Sequence, residues 1–392
     1  MLNGISKRFL LSRVSRWREG RLRVELPDGT SQTVGCADAE PPAHLRILDP
    51  RAFRRVLTGG AIGAGESYMA GEWQSDDLPR LIAGFIRNAR WVEIDSPTNW
   101  WYRMAQMIRH WCRPNSASGG SERNIHEHYD LGNELYQVFL DESLAYSCAI
   151  FEDDCRTLEE AQLRKYRRIC EKLDVRGSDH LLEIGTGWGG FAIHAATERG
   201  CRITTVTISR RQFELAQARV AAAGIADRVN VQYCDYRFLS GKFDKLASIE
   251  MFEAVGRENW STYFQKCERL LNPGGRILIQ TIAWPDSDPQ LGSRGASWLH
   301  KYIFPGSVIP TLAEIEATVR RSTSLELRHV EDIGSHYAPT LRSWRERFMQ
   351  SVERVRRLGF SDRFIRMWDY YLATCESTFS TGIGRDLQLV LG

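Results

Sequence analysis

Nowhere in the 392 residues is there an apolar run approaching the roughly 18 residues that a membrane-spanning helix needs, so an integral membrane protein is not expected. A secretory leader is missing too. The start, MLNGISKRFLLSRVSRWREG, breaks up its few apolar residues with charge, and we expect a protein made and kept in the cytoplasm. The nine cysteines, at positions 36, 112, 148, 155, 170, 201, 234, 267 and 375, include no C-x-x-C pair and no histidine partner at zinc spacing. Free thiols and no metal are expected from that scatter. Neither sign of charge dominates: 52 basic against 49 acidic residues leave +3, which gives no case for wholesale nucleic-acid binding. No internal repeat is visible.

The charge that is present is uneven. Residues 1 to 23 carry Lys7, Arg8, Arg13, Arg16, Arg18, Arg21 and Arg23 against the single acid Glu19, and residues 342 to 366 carry eight arginines against three acids. Two readings stand for these faces, plain solvation or contact with anionic lipid headgroups.

The most informative segment is Leu181 to Phe191, LLEIGTGWGGF, an apolar strand running into a glycine-dense turn that opens a helix. Gly185, Gly187 and Gly190 satisfy the G-x-G-x-x-G dinucleotide pattern. Two neighbours favour S-adenosylmethionine instead. Glu183 would repel a pyrophosphate but suits a cationic methionine group, and the next strand, Arg202 to Ser209, lacks the terminal acid that a dinucleotide ribose requires.

Leu22 to Val34 reads as a hairpin around Pro27-Asp28-Gly29. A helix from Asp49-Pro50 to Leu57 should follow, with Gly59 to Trp73 too glycine-rich to be regular helix, and a further helix over Leu78 to Asn88. CRPNSASGGS, residues 112 to 121, has the composition of a flexible linker. Beyond it, strands at 179–184, 202–207, 229–233, 243–249 and 276–282 alternate with helices. That pattern predicts an α/β fold with a parallel sheet covered on both faces and a ligand beyond the carboxyl ends of the strands. The expected domains are an α+β domain over 1–111, a linker over 112–122 and a donor-binding domain over 123–392.

Ile125-His126-Glu127-His128-Tyr129-Asp130-Leu131-Gly132-Asn133, Tyr146-Ser147-Cys148, the glycine loop, Thr207-Ile208-Ser209-Arg210-Arg211-Gln212, Glu250-Met251-Phe252-Glu253-Ala254-Val255-Gly256, Lys301-Tyr302-Ile303-Phe304-Pro305-Gly306 and Gly334-Ser335-His336-Tyr337 follow one another in the order seen in the cyclopropane fatty acid synthase family, which the chain resembles. Gly63 to Trp73 is similar to the glycine-rich segment of its long bacterial members. The resemblance implies a Rossmann-like class I methyltransferase with a mostly parallel seven-stranded sheet, a small N-terminal α+β domain that engages lipid, and a location peripheral to the inner face of the membrane. It also implies the activity: an unsaturated phospholipid acyl chain takes the methyl of S-adenosylmethionine and closes to a cyclopropane. The oligomeric state is left between monomer and homodimer.

For donor binding, resemblance and chemistry together name Tyr146, Ser147, Glu183, Gly185, Gly187, Gly189, Thr207, Ser209 and Gln212, with Asp235 and Tyr236 on the adenine side. Ser209 reads first as a helix N-cap, and Asp235 equally as a turn former. Tyr129, Trp298, Tyr302 and Phe304 are the candidates for lining the acyl channel. The family holds a bicarbonate ion as base, which the resemblance assigns to Cys148, Glu253, Gln280, Ile282 and Tyr337. At Gln280 the chain departs from the family's histidine. An amide donates hydrogen bonds but cannot titrate. Either Gln280 holds the anion and the ring forms, or the base is altered and a methyl-branched or methylene chain results. Two other classes stay open, a small-molecule N-methyltransferase and a catalytically idle lipid-binding protein.

Overall fold

The computed structural model describes residues 2–36, 41–92, 131–152, 155–287 and 298–392. The linker expected at 112–122 and the candidate Tyr129 lie outside them. The chain forms two compact units, and the boundary differs from the expected one. The first unit takes Met1–Cys112 together with Gly295–Pro305 and Trp344–Gly382, and the second takes Arg113–Arg294, Gly306–Ser343 and Ile383–Gly392. Two stretches assigned by sequence to the donor domain thus return to the first unit.

In the first unit a four-stranded sheet has the order β2-β1-β3-β4. The hairpin of β1 (Arg21–Glu25) and β2 (Ser31–Gly35) forms as expected, and β3 (Ala43–Ile47) lies parallel to β1 and antiparallel to β4 (Trp73–Gln74). The expectation that Gly59 to Trp73 is irregular fails. One helix runs Arg51–Met69, kinked where Gly60 adopts φ 54. Its glycines serve close packing: a Cβ at Gly65 would stand 2.5 Å from the Trp298 ring and 2.8 Å from that of Tyr370. That contact outweighs the roughly 1 kcal/mol each glycine costs a helix.

The second unit is built on a seven-stranded sheet, order β10-β11-β9-β8-β5-β6-β7, formed by β5 (His180–Ile184), β6 (Arg202–Thr207), β7 (Val229–Tyr233), β8 (Phe243–Ile249), β9 (Leu271–Ala283), β10 (Leu327–Asp332) and β11 (Arg385–Leu391). Strands β5 to β9 pair in parallel, whereas β11 is antiparallel to both β9 and β10. Helices seal both faces. Helix Leu158–Leu173, started by a Thr157/Glu160 capping box, packs Tyr166, Ile169 and Leu173 with Phe191 and Ala192 on one face. Phe252, Trp260, Tyr263 and Phe264 fill the other.

Two consequences position the site. Because β5 to β9 are parallel, the segments after Ile184, Thr207, Tyr233, Ile249 and Ala283 leave one edge of the sheet together. The antiparallel insertion of β11 sets Asp386 opposite Ile282 and Gln388 opposite Gln280.

Candidate active site

The part of this edge where the donor is expected is made largely by backbone. Gly185, Gly187 and Gly189 have φ of 101°, 51° and 85°, a region that side-chain-bearing residues rarely enter. The Gly185 and Thr186 amides both donate to the Val206 carbonyl, which pins the turn to β6. Glu183 is buried on β5 and accepts a 2.5 Å hydrogen bond from Thr205; burial pushes its carboxyl up to about 8. At the end of β6 the Thr207 hydroxyl donates to Gln212 Oε1 at 2.9 Å, and Ser209 caps the helix Arg210–Ala222. Asp235 binds Arg237 through both carboxylate oxygens and caps its own turn, while the Tyr236 ring packs 5.4 Å from Tyr263.

A second cluster lies where β8, β9 and β11 meet. Glu250, the residue after β8, adopts φ 46, and its carboxylate accepts the Cys148 amide at 2.7 Å, the Gln280 amide at 2.8 Å and the Tyr337 hydroxyl at 2.6 Å. The same Gln280 nitrogen reaches Asp386 Oδ2 at 3.0 Å, and the Gln280 oxygen accepts from Gln388 at 3.0 Å. Three residues on, Glu253 accepts the Ile282 amide at 2.6 Å and the Thr281 hydroxyl at 2.9 Å, while its Oε2 is buried without a hydrogen-bond partner among the described residues. Burial, then the charge of Glu250, pushes the Glu253 carboxyl up to about 7. Burial also raises the Glu250 carboxyl and drives that of Asp386 far above the carboxylate range, with the charge of Glu250 adding to the rise at Asp386.

Lys165 is the cation of this cluster. It is fully buried, donates to Ser147 Oγ at 2.5 Å, and has its basicity lowered by burial while Glu250 acts first among the charges that restore it. Ser147 is held further by Gln162, which donates to its carbonyl at 2.9 Å. The Tyr146 ring packs 5.3 Å from Tyr136. The Cys148 thiol is buried and pushed well up, so it is no nucleophile; its backbone amide makes the polar contact.

Of the residues expected around the anion, Cys148, Gln280 and Tyr337 meet at Glu250, while Ile282 meets Glu253. A bicarbonate ion does not fit this arrangement. The donors it needs are spent on Glu250, and a further anion would face Glu250, Glu253 and Asp386. The channel candidates Trp298, Tyr302 and Phe304 belong to the first unit. There Trp298 packs 4.8 Å from Tyr370, Tyr302 donates to Glu66 at 2.8 Å, and Phe304 packs 5.6 Å from Tyr371.

Sequence reasoning missed Glu250, Lys165 and Asp386. It also missed Arg219, which donates to the carbonyls of Glu142, Ser143 and Trp188 and so ties the glycine loop to the segment before Tyr146. The signal for Glu250 was present: two acids three residues apart directly after a strand.

Residues 118–389 match the family model described as mycolic acid cyclopropane synthetase. The chain is 41% identical over 377 residues to the tuberculostearic acid methyltransferase of Mycobacterium tuberculosis, covering 92% of this chain and 85% of that protein. It is 35% identical over 358 residues to the cyclopropane-fatty-acyl-phospholipid synthase of Escherichia coli, covering 89% and 86%. Among solved structures, a mycolic acid cyclopropane synthase complexed with SAH aligns with a TM-score of 0.64 at 26% identity, over 69% of this chain and 97% of that one.

Proposed function

Because the chain belongs to the mycolic acid cyclopropane synthetase family and is an S-adenosylmethionine-dependent methyltransferase of fatty acyl chains, we propose that its substrate is the double bond of an unsaturated membrane phospholipid and its product a methylene-branched chain. The observation that carries this reading is Gln280. It stands buried between two carboxyl groups and donates to both, where a histidine would move a proton.

The alkene π pair forms the bond to the donor's methyl, and the neighbouring carbon becomes a cation. Losing a proton from the new methyl at once closes a ring. A hydride shift first gives the more substituted cation, and losing the same proton then gives a methylene group. Where no imidazole takes the proton onward, the cation outlives the transfer and the shift precedes deprotonation. The methylene product needs no reductant, whereas a saturated branch would. The higher identity to a tuberculostearic acid methyltransferase than to the cyclopropane synthase supports the same direction.

In this reading the donor lies along Gly185, Gly187 and Gly189, with Glu183, Thr207 and Gln212 beside it. The reaction takes place at a membrane surface. No helix among the described residues is long and apolar enough to cross a membrane, and the helix Leu2–Val14 brings Lys7, Arg8 and Arg13 together with a part-exposed Phe9. The test is incubation with labelled S-adenosylmethionine and unsaturated phospholipid vesicles, then mass spectrometry of the fatty methyl esters. A gain of one CH₂ with the unsaturation kept and relocated is expected. The same gain with no double bond restores the ring, and no label in lipid overturns the reading.

A further inference from the structure

The resemblance implies a diffusible ion as base, yet the groups it assigns to that ion meet a side chain of this chain. Glu250 gathers the Cys148 amide, the Gln280 amide and the Tyr337 hydroxyl, the groups that would hold an external anion. The seat is prepared for it from three directions. The backbone at Glu250 takes a left-handed conformation, uncommon for a non-glycine residue, and its amide is fixed by a 2.7 Å hydrogen bond to the Gln280 carbonyl. Asp386, brought alongside by the antiparallel β11, shares the Gln280 nitrogen with it.

We infer that Glu250 is the catalytic base, a carboxylate tethered in place of bicarbonate, and that turnover does not depend on that ion. This rests on the acyl-chain reading above. The step balances without a further reactant. The sulfonium C–S bond breaks with its pair left on sulfur, and the alkene pair forms the new C–C bond. A hydride shifts with its electron pair, and a methyl C–H bond then gives its pair to the methylene double bond and its proton to Glu250. That proton leaves to solvent on product release. Lys165 offsets the negative charge of Glu250 between turnovers, and Asp386 stays protonated because two neighbouring buried carboxyls cannot both ionise. Two of the three hydrogen bonds end on Oε1 and one on Oε2, and a carboxylate has about four lone-pair sites, so Glu250 can take the proton with all three kept.

The experiment uses the full chain, labelled S-adenosylmethionine and unsaturated phosphatidylglycerol vesicles, in carbon-dioxide-free buffer and in buffer with added bicarbonate. Wild-type turnover is expected to be the same in both. Glu250→Gln should lose about 10²- to 10⁴-fold in turnover while S-adenosylmethionine binding, measured calorimetrically, is unchanged. Glu250→Gly opens the seat, and bicarbonate should restore part of its activity. Carbon-13-labelled bicarbonate should give a bound resonance with this variant and none with wild type. Stimulation of the wild type by bicarbonate, or full turnover of Glu250→Gln, overturns the inference while leaving acyl methylation intact. Absence of label in lipid under every condition overturns both. Should Glu250→Gly not fold, the wild-type comparison and Glu250→Gln still decide.

Discussion

The two halves of the catalytic edge are built by opposite means. Around β5 and β6 the proposed donor site is formed by backbone conformation and by side chains that satisfy one another, as Thr207 and Gln212 do. Where β8, β9 and β11 meet, the chain buries Lys165 and Asp386 and half-buries Glu250 and Glu253, drawn from three separate stretches of sequence. A cationic donor needs a shaped surface and little charge. Proton removal from a carbocation needs charge placed in advance, and burying it costs stability unless every member is partnered.

That contrast can be broken most forcefully at Lys165. Lys165→Met leaves the Glu250 carboxylate without its buried cation and should cost about 3–5 kcal/mol, seen as a fall in Tm of roughly 10 °C, with donor affinity little changed. If donor affinity falls in proportion, the two halves are not separable. On the donor side, Gly185→Ala forces a Cβ into φ 101 and to within 3.2 Å of Met251. The expected cost is about 1–2 kcal/mol, appearing as a roughly tenfold weaker donor Kd.

Acidity sharpens the comparison next. Glu183 has its carboxyl raised to about 8, so without donor the folded state binds the extra proton and stability is greatest below the ordinary glutamate range, falling as pH rises toward 8. Glu183→Gln should flatten that fall in thermal melts of the donor-free protein. An unchanged slope would show that Glu183 is ionised throughout. Glu253, raised to about 7 beside Glu250, should give the pH profile of turnover a break near neutrality that Glu253→Gln removes. The smallest effect belongs to Ser209. Ser209→Ala removes the N-cap of Arg210–Ala222 and should cost about 1 kcal/mol by denaturant titration with methyl transfer preserved.

Sequence reading reached these halves unequally, for the same physical reason. The glycine loop and the β6 end are local, each a strand running into a cap within a dozen residues, and periodicity with turn chemistry exposes them. Lys165 sits on an amphipathic helix among charged neighbours, where its burial leaves no mark in the pattern, and Asp386 reads as one of three polar residues in the strand Arg385–Leu391. Glu250 was in view inside EMFEAVG, but Glu253 had the family's role and the first acid passed as its neighbour. The division into units was hidden in the same way. No composition shift marks residues 295–305, and the arginine-rich run over 342–366 does not say which core it joins, because the aromatic residues of both stretches suit either.

The threading of the first unit has a consequence for how the chain is made. Its helix Asp362–Ser380 buries Ile365, Trp368, Tyr371 and Phe379 and packs against the helices Arg51–Met69 and Leu78–Val92. A ribosome therefore delivers the first hundred residues long before the helix that completes their core. The early segment must wait, with apolar surface uncovered, until translation has passed residue 380. Cutting the chain at the expected boundary near residue 111 would leave that late helix without its partners, so such a fragment should aggregate where the whole chain stays in solution.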